Sequence, residues 1–242
     1  MIRKGTLLYD LMAVPGVALI RAFEFLIVRA SGNATFFPAD AAWIEGIEAS
    51  WEKIRCELDA LLQRQQSVPE FKDISEEQGR ITRGVWRTHI FYLYGRRIAA
   101  NCEGCPETDR LLSGIPGLAT GMFSMLMPGA RLIPHRGPFK GVLRYHLGLV
   151  VPNDPTTCGI RVGQDVAHWL EGKSLVFDDT HEHEAWNESD QLRVVLFVDF
   201  VRPLPFPLNV VNLGMIKLIS ASPFIRNMVV NLDNRVSDVE RS

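Results

Sequence analysis

Long apolar runs, surplus charge of one sign and paired cysteine motifs are all scarce in this 242-residue chain, and each scarcity removes a class of function. Near the N-terminus the longest uncharged stretch is Leu11 to Ile20, well short of the roughly 20 apolar residues that a bilayer-crossing helix needs. Asp10, Arg21, Glu24 and Arg29 interrupt residues 1–30, so neither a spanning helix nor a cleaved leader is expected there; Asp10 would fall inside a leader's apolar core. A net charge of −2 offers no basic footprint, and no nucleic-acid partner is expected. Of the four cysteines only Cys102 and Cys105 form a CxxC pair, with no second pair or matching histidines to complete a zinc set, and the phrase reads as a loop-to-helix junction. Cysteines without a secretory leader fit a reducing compartment. The expected setting is therefore cytoplasmic, with the inner membrane surface as the alternative. Gly137, Gly141 and Gly148 precede no helix start, which removes a phosphate-cradling loop.

With 47% hydrophobic residues the chain can bury a substantial core, and it reads as one domain with decorated ends. Residues 1–32 form an apolar helical segment broken at Pro15, either packed on the domain or lying at a membrane surface. Residues 33–116 form a helical support region. In it Trp43, Ile47, Trp51, Ile54, Leu58 and Leu61 recur at helical spacing opposite Glu45, Glu48, Lys53, Arg55 and Glu57. That spacing predicts one amphipathic helix whose tryptophans pack against a core. The polar residues 63–83, with Pro69, predict an exposed loop able to line an entrance. His89, in an otherwise apolar strand, is read as structural. Residues 204–242 turn apolar again, Lys217 being the single charge between Leu204 and Ile225, while Gly214 and Pro223 argue against a straight spanning helix. A polar tail runs from Asp233 to Ser242.

Residues 117–203 carry the chemistry. Met122, Ser124 and Leu126 alternate onto one face, Pro128-Gly129 turns the chain, and Arg131 to His135 returns as a strand. Gly141 to Val151 puts Val142, Arg144, His146 and Gly148 on one face, and Leu192 to Val201 is a strand whose first polar residue is Arg193. Arginine and histidine facing a barrel interior are costly to desolvate unless an anion neutralises them, which points to a dicarboxylate. The bland alternative pairs Arg144 with Asp178 or Asp179. His135, in PHRGP, and His183, in FDDTHEHEAWN, each make sense as half of a metal site. His181 points the same way as His183 in a regular strand, so alternation does not separate them; His168 joins no constellation.

The motifs Phe123-Ser124, Pro128-Gly129, HRGP, LRYHLGLVVP, Trp169 with Glu171-Gly172-Lys173, VFDDTHEHEAWN and RVVLFVDFVRP occur in one order. In that order they resemble the aspartyl/asparaginyl β-hydroxylase family of iron(II) and 2-oxoglutarate dependent oxygenases. The same text is similar to the bacterial lipid A hydroxylases of that superfamily. The resemblance implies a mainly β fold with flanking α: a double-stranded β-helix (jelly-roll) core over 117–203, N-terminal helices and a C-terminal apolar helical segment. It implies that His135 and His183 ligate iron(II), that Arg144 and His146 hold the 1-carboxylate end of 2-oxoglutarate, and that Ser124 and Arg193 hold its far carboxylate, with O₂ as oxidant. His183 rather than His181 matches the family position, with Asp179 or Glu184 expected to orient it. Gly137 stands where the wider oxygenase class has a ligating carboxylate, as it does in the aspartyl hydroxylases. A β-carbon of aspartyl or asparaginyl residues is the target this implies, in a peptide or protein. RYHLGL and the apolar termini imply instead a lipid acyl chain and peripheral membrane contact. A noncatalytic jelly-roll binding module is the reading from another class.

Overall fold

A computed structural model describes residues 20–64, 68–222, 225 and 228–232. Pro15 and the polar tail lie outside the described residues. The chain runs through helix α1 (20–31), β1 (Phe36–Phe37), α2 (Ala42–Ala49), α3 (Trp51–Gln63), α4 (Phe71–Ile74), α5 (Glu76–Ile81), β2 (Thr82–Arg83), β3 (Trp86–Leu93), β4 (Arg96–Arg97), α6 (Ala99–Gly104) and α7 (Pro106–Ser113). It continues with β5 (Leu118–Leu126), β6 (Arg131–His135), β7 (Val142–Val150), β8 (Cys158–Val162), β9 (Asp165–Ala167), β10 (Ser174–Phe177), β11 (His183–Asn187), β12 (Arg193–Val201) and α8 (Leu208–Ser220).

The strands form two antiparallel sheets, one of seven in the order β1-β10-β7-β12-β5-β3-β4 and one of five in the order β2-β6-β11-β8-β9. This is the mainly β jelly roll with flanking helices. Period-2 alternation sorts the side chains of β12: Val194, Leu196, Val198 and Phe200 face the helices, while Val195 and Phe197 face the second sheet. β1, β3 and β4 join the large sheet from outside 117–203. Asn187 ties the sheets together, its Nδ2 donating to the carbonyls of Leu126 (2.9 Å) and Gln191 (2.8 Å).

On the helix side, Ile44, Ile47, Ile54, Leu58 and Leu61 bury against Leu143, Tyr145, Leu147 and Leu149. The single helix expected over Trp43 to Leu61 is two, interrupted at Ser50, whose φ of −107° and ψ of 8° break the ladder. Trp43 sits edge-on to Tyr145 and Phe200, each at 5.1 Å, and so packs the core. Residues 63–83 depart from the expected exposed loop. They hold α4 and α5, because Phe71 and Ile74 bury into the space between the sheets, where Phe71 meets Trp86 edge-on at 4.6 Å.

The apolar C-terminal stretch becomes α8, held to the body by a small third cluster in which Leu208, Met215, Ile216 and Ile219 meet Phe139 and, from α1, Phe23 and Ile27. Phe23 stacks on Phe139 at 6.3 Å. The outer face of α8 keeps Val210, Val211, Leu213 and Leu218 exposed, Leu218 at 76%. No helix among the described residues is long and apolar enough to cross a membrane.

Candidate active site

β6 ends on His135 and β11 begins on His183, and the two pair directly across the smaller sheet, with ring centroids 4.1 Å apart. Each Nδ1 faces a backbone carbonyl two residues earlier, Ile133 at 2.8 Å and His181 at 3.0 Å. A carbonyl only accepts, so each Nδ1 carries the proton and each Nε2 keeps its lone pair. Burial holds His183 down to about 3, with His135 and Arg144 adding to the effect. His135 is lowered by burial too. Both rings are neutral at pH 7, the form that ligates metal. The orienting partner of His183 is therefore a main-chain oxygen and not the expected carboxylate. Glu184 pairs with Arg161 at 2.8 Å, and Asp179 faces Arg144 at 2.9 Å.

His181 is not among the residues lining the cavity of this pair. It precedes the strand in a bend and borders a different pocket, so the alternation that left it equivalent to His183 does not apply there.

A cavity of about 460 Å³ between the sheets brings together all six sequence-derived residues: Ser124, His135, Arg144, His146, His183 and Arg193. At one end Arg193 is 1% exposed, lies 4.5 Å over the Trp169 ring and donates through Nη1 to the Ser124 carbonyl at 3.3 Å. Its Nε has no partner, and no carboxylate among the described residues reaches it. Desolvation lowers its pKa. The Ser124 hydroxyl accepts from Trp86 Nε1 at 2.9 Å. Both ring nitrogens of His146 are buried without partners, the ring being set among Phe177 (5.0 Å) and Phe197 (5.2 Å). An unneutralised buried guanidinium beside orphaned imidazole nitrogens is costly by itself, and an anion with acceptor oxygens would relieve it.

Arg144 differs. Asp199 takes its Nε at 2.8 Å and its Nη2 at 3.1 Å, while Asp179 faces Nη2 at 2.9 Å. Its partners are thus Asp179 and Asp199; Asp178 is engaged by Lys140 and Arg202. Burial pushes Asp179 up to about 6 against the pull of Arg144. A Cβ at Gly137 would overlap the Asp179 carboxylate, which therefore fills the space where a third ligating side chain would start. Among the described residues no three His, Cys, Asp or Glu side chains form a metal-ready group, so the protein offers two imidazole donors. These two open lone pairs, with the anion-hungry end beside them, fit a metal completed by a chelating oxo-acid and water.

Sequence reasoning missed Asp199 and Tyr94, both on the cavity wall. Asp199 was reachable, since it continues the inward alternation Arg193, Val195, Phe197. Tyr94, held at φ +49°, has no such signal. His89 stacks among Phe91 and Phe123, and burial lowers it to about 4. His168 Nδ1 lies 2.9 Å from the Cys158 carbonyl. Cys102 and Cys105 are free buried thiols that burial pushes up to about 12, away from thiolate chemistry.

A two-sheet jelly roll closing over paired neutral imidazoles and a buried cation defines an oxygenase-like architecture. Residues 48–203 match the family model described as aspartyl/asparaginyl beta-hydroxylase, and the chain belongs to that family of hydroxylases. It is 46% identical over 219 residues to the ornithine lipid ester-linked acyl 2-hydroxylase of Rhizobium tropici, covering 90% of this chain and 77% of that one. It is 34% identical over 167 residues to the human aspartyl/asparaginyl beta-hydroxylase, covering 66% of this chain and 21% of that one; the chain thus spans about a fifth of the human protein. A Pseudomonas putida prolyl-4-hydroxylase structure aligns at 19% identity and a TM-score of 0.40, over 71% of this chain and 91% of that one.

Proposed function

We propose that this protein is an iron(II)- and 2-oxoglutarate-dependent dioxygenase that hydroxylates a carbon of a lipid acyl chain. The observation that carries the substrate reading is the apolar part of the cavity that holds the histidine pair. Its lining includes Phe139, Val142, Ile216 and Ile219, apolar side chains suited to methylenes, beside the polar groups Arg136, Arg144 and Asp199. The acyl hydroxylase among the relatives points the same way. The aspartyl/asparaginyl reading keeps Gly137 and the family's name in its favour.

His135 and His183 would hold the iron through Nε2. When bound, iron with 2-oxoglutarate and O₂ supplies the oxidising power to break an unactivated C–H bond. The chain's own residues do the rest. Arg193 and Ser124 would bind the far carboxylate of 2-oxoglutarate over Trp169, in a charge-assisted contact. His146 would donate to the near carboxylate. Arg144 would contribute there through Nη1, which has no partner among the described residues while Asp179 and Asp199 engage Nε and Nη2. The aromatic and aliphatic walls exclude water from the reacting carbon. A lipid substrate also gives the exposed face of α8 a role, lying against a bilayer surface with Ile216 and Ile219 turned toward the cavity.

Incubating the enzyme with iron(II), 2-oxoglutarate and O₂, and separately with membrane lipid extract or aspartate-containing peptides, decides the target. A 16-Da gain confined to acyl chains is expected. A gain confined to peptides selects the other target, and failure to bind iron with 2-oxoglutarate present would revive the binding-module reading.

A further inference from the structure

Beside the main cavity lies a second, more open pocket of about 510 Å³, lined by α1 (Arg21, Glu24), by the loop Arg136 to Lys140 and by Thr180-His181. The two cavities share the segment Arg136, Gly137, Pro138, which directly follows His135. The two differ in their outer linings. The main cavity includes Phe139, Val142 and Ile219 in its lining, whereas the second pocket includes the cationic side chains of Arg21, Arg136 and Lys140. Lys140 is committed to Asp178 (2.6 Å) and Thr180 (3.0 Å), but neither Arg21 nor Arg136 has an ion-pair partner among the described residues. His181 Nε2 is enclosed and unpartnered. Glu24 is the acid of the pocket.

We propose that this second pocket is the headgroup subsite of an amphiphilic substrate, binding an anionic carboxylate through Arg21, Arg136 and His181 while the acyl chain runs into the apolar cavity. The inference rests on the acyl-chain reading above and deepens it. Two unpaired guanidinium groups and an orphaned imidazole nitrogen are a recognition set for a carboxylate. The pocket's single acid, Glu24, suits a headgroup that also carries an ammonium, as an amino-acid headgroup does. The position relative to the histidines sets the regiochemistry. Because Arg136 and Gly137 are one and two residues from His135, a headgroup seated there presents the first carbons of its acyl chain, not the terminal ones, to the histidine pair. Oxidation near an acyl carbonyl, and not at the far end of the chain, is the outcome this arrangement predicts.

The test uses the full-length protein and two synthetic lipids. One carries two eight-carbon chains and a free ornithine carboxylate; the other is its carboxyl methyl ester. Titration calorimetry is expected to show the acid binding about tenfold more tightly than the ester, the scale of one charge-assisted contact at a solvated site. In Arg21→Gln/Arg136→Gln, both exposed positions, acid and ester should bind alike at the ester's affinity. Equal affinities in the native protein, or a preference that survives the double substitution, would overturn the subsite. The position of the product hydroxyl tests the reaction separately. Discrimination without acyl hydroxylation leaves the subsite standing and refutes the chemistry, whereas acyl hydroxylation without discrimination does the reverse.

Discussion

Gly137 carries no side chain, and the Asp179 carboxylate lies where one would begin. Gly137→Asp is therefore expected not to install a third metal ligand but to overpack the site, costing roughly 1–3 kcal/mol and a melting temperature lower by several degrees. A thermal double-mutant cycle of Gly137→Ala and Asp179→Gly checks the cause, since Gly137→Ala should cost little in the Asp179→Gly background, where the clashing carboxylate is gone. Arg193 gives an opposite trade. As a buried cation without a carboxylate it is a liability in the ligand-free protein, so Arg193→Met should leave the melting temperature unchanged or raise it. The same variant should lose the thermal stabilisation that 2-oxoglutarate gives the native protein, read by melting with and without the diacid. At the histidines, His183→Ala is expected to abolish succinate formation while His181→Ala retains it; the reverse pattern would reassign the ligand. Much at this scale was readable beforehand, because alternation alone puts Arg144, His146 and Arg193 on inward faces. The partners of Arg144 were not, since Asp199 lies 55 residues away and meets it only through strand pairing.

At the scale of elements, α8 is the informative one. Its outward residues Val211 and Leu218 are exposed, while its inward residues seal the cavity. Val211→Glu/Leu218→Glu should leave the melting temperature within about 1 °C, as surface changes do. It should nevertheless abolish co-flotation with anionic liposomes, which the native protein is expected to show. Strands were legible where apolar and polar residues alternate, as in β7 and β12, and β6 falls where the sequence puts it. The division of α2 from α3 was not legible, because Ser50 is no obligate breaker and the apolar spacing runs through it. Nor were α4 and α5, whose few apolar residues, Phe71 and Ile74, are diluted among charges and gain their burial from the distant Trp86.

For the molecule as a whole, the sheet order could not be read from the chain. β1 pairs with β10 and β12 lies between β7 and β5, contacts spanning up to about 140 residues of sequence that no local pattern records. Its interior has a global consequence for pH. His89, His135, His146 and His183 are all held below their ordinary range, chiefly by burial. Such groups bind protons in the unfolded chain before they do in the folded one. Stability is thus complete above about 6.5 and is lost as pH falls toward 4, by up to about 1.4 kcal/mol per pH unit for each histidine. Melting temperatures between pH 7 and 4.5 should fall accordingly, and His89→Phe, remote from the histidine pair, should flatten the fall by one proton's worth.

The ring of Phe139 is wall to the cavity on one side and seat for Phe23 of α1 on the other. An acyl chain pressing on the first face and a surface that holds α1 against the second would act on the same few carbon atoms. Were both to occur, reciprocity would require each to change the other's affinity by one common factor, so that adsorption and substrate capture would be coupled.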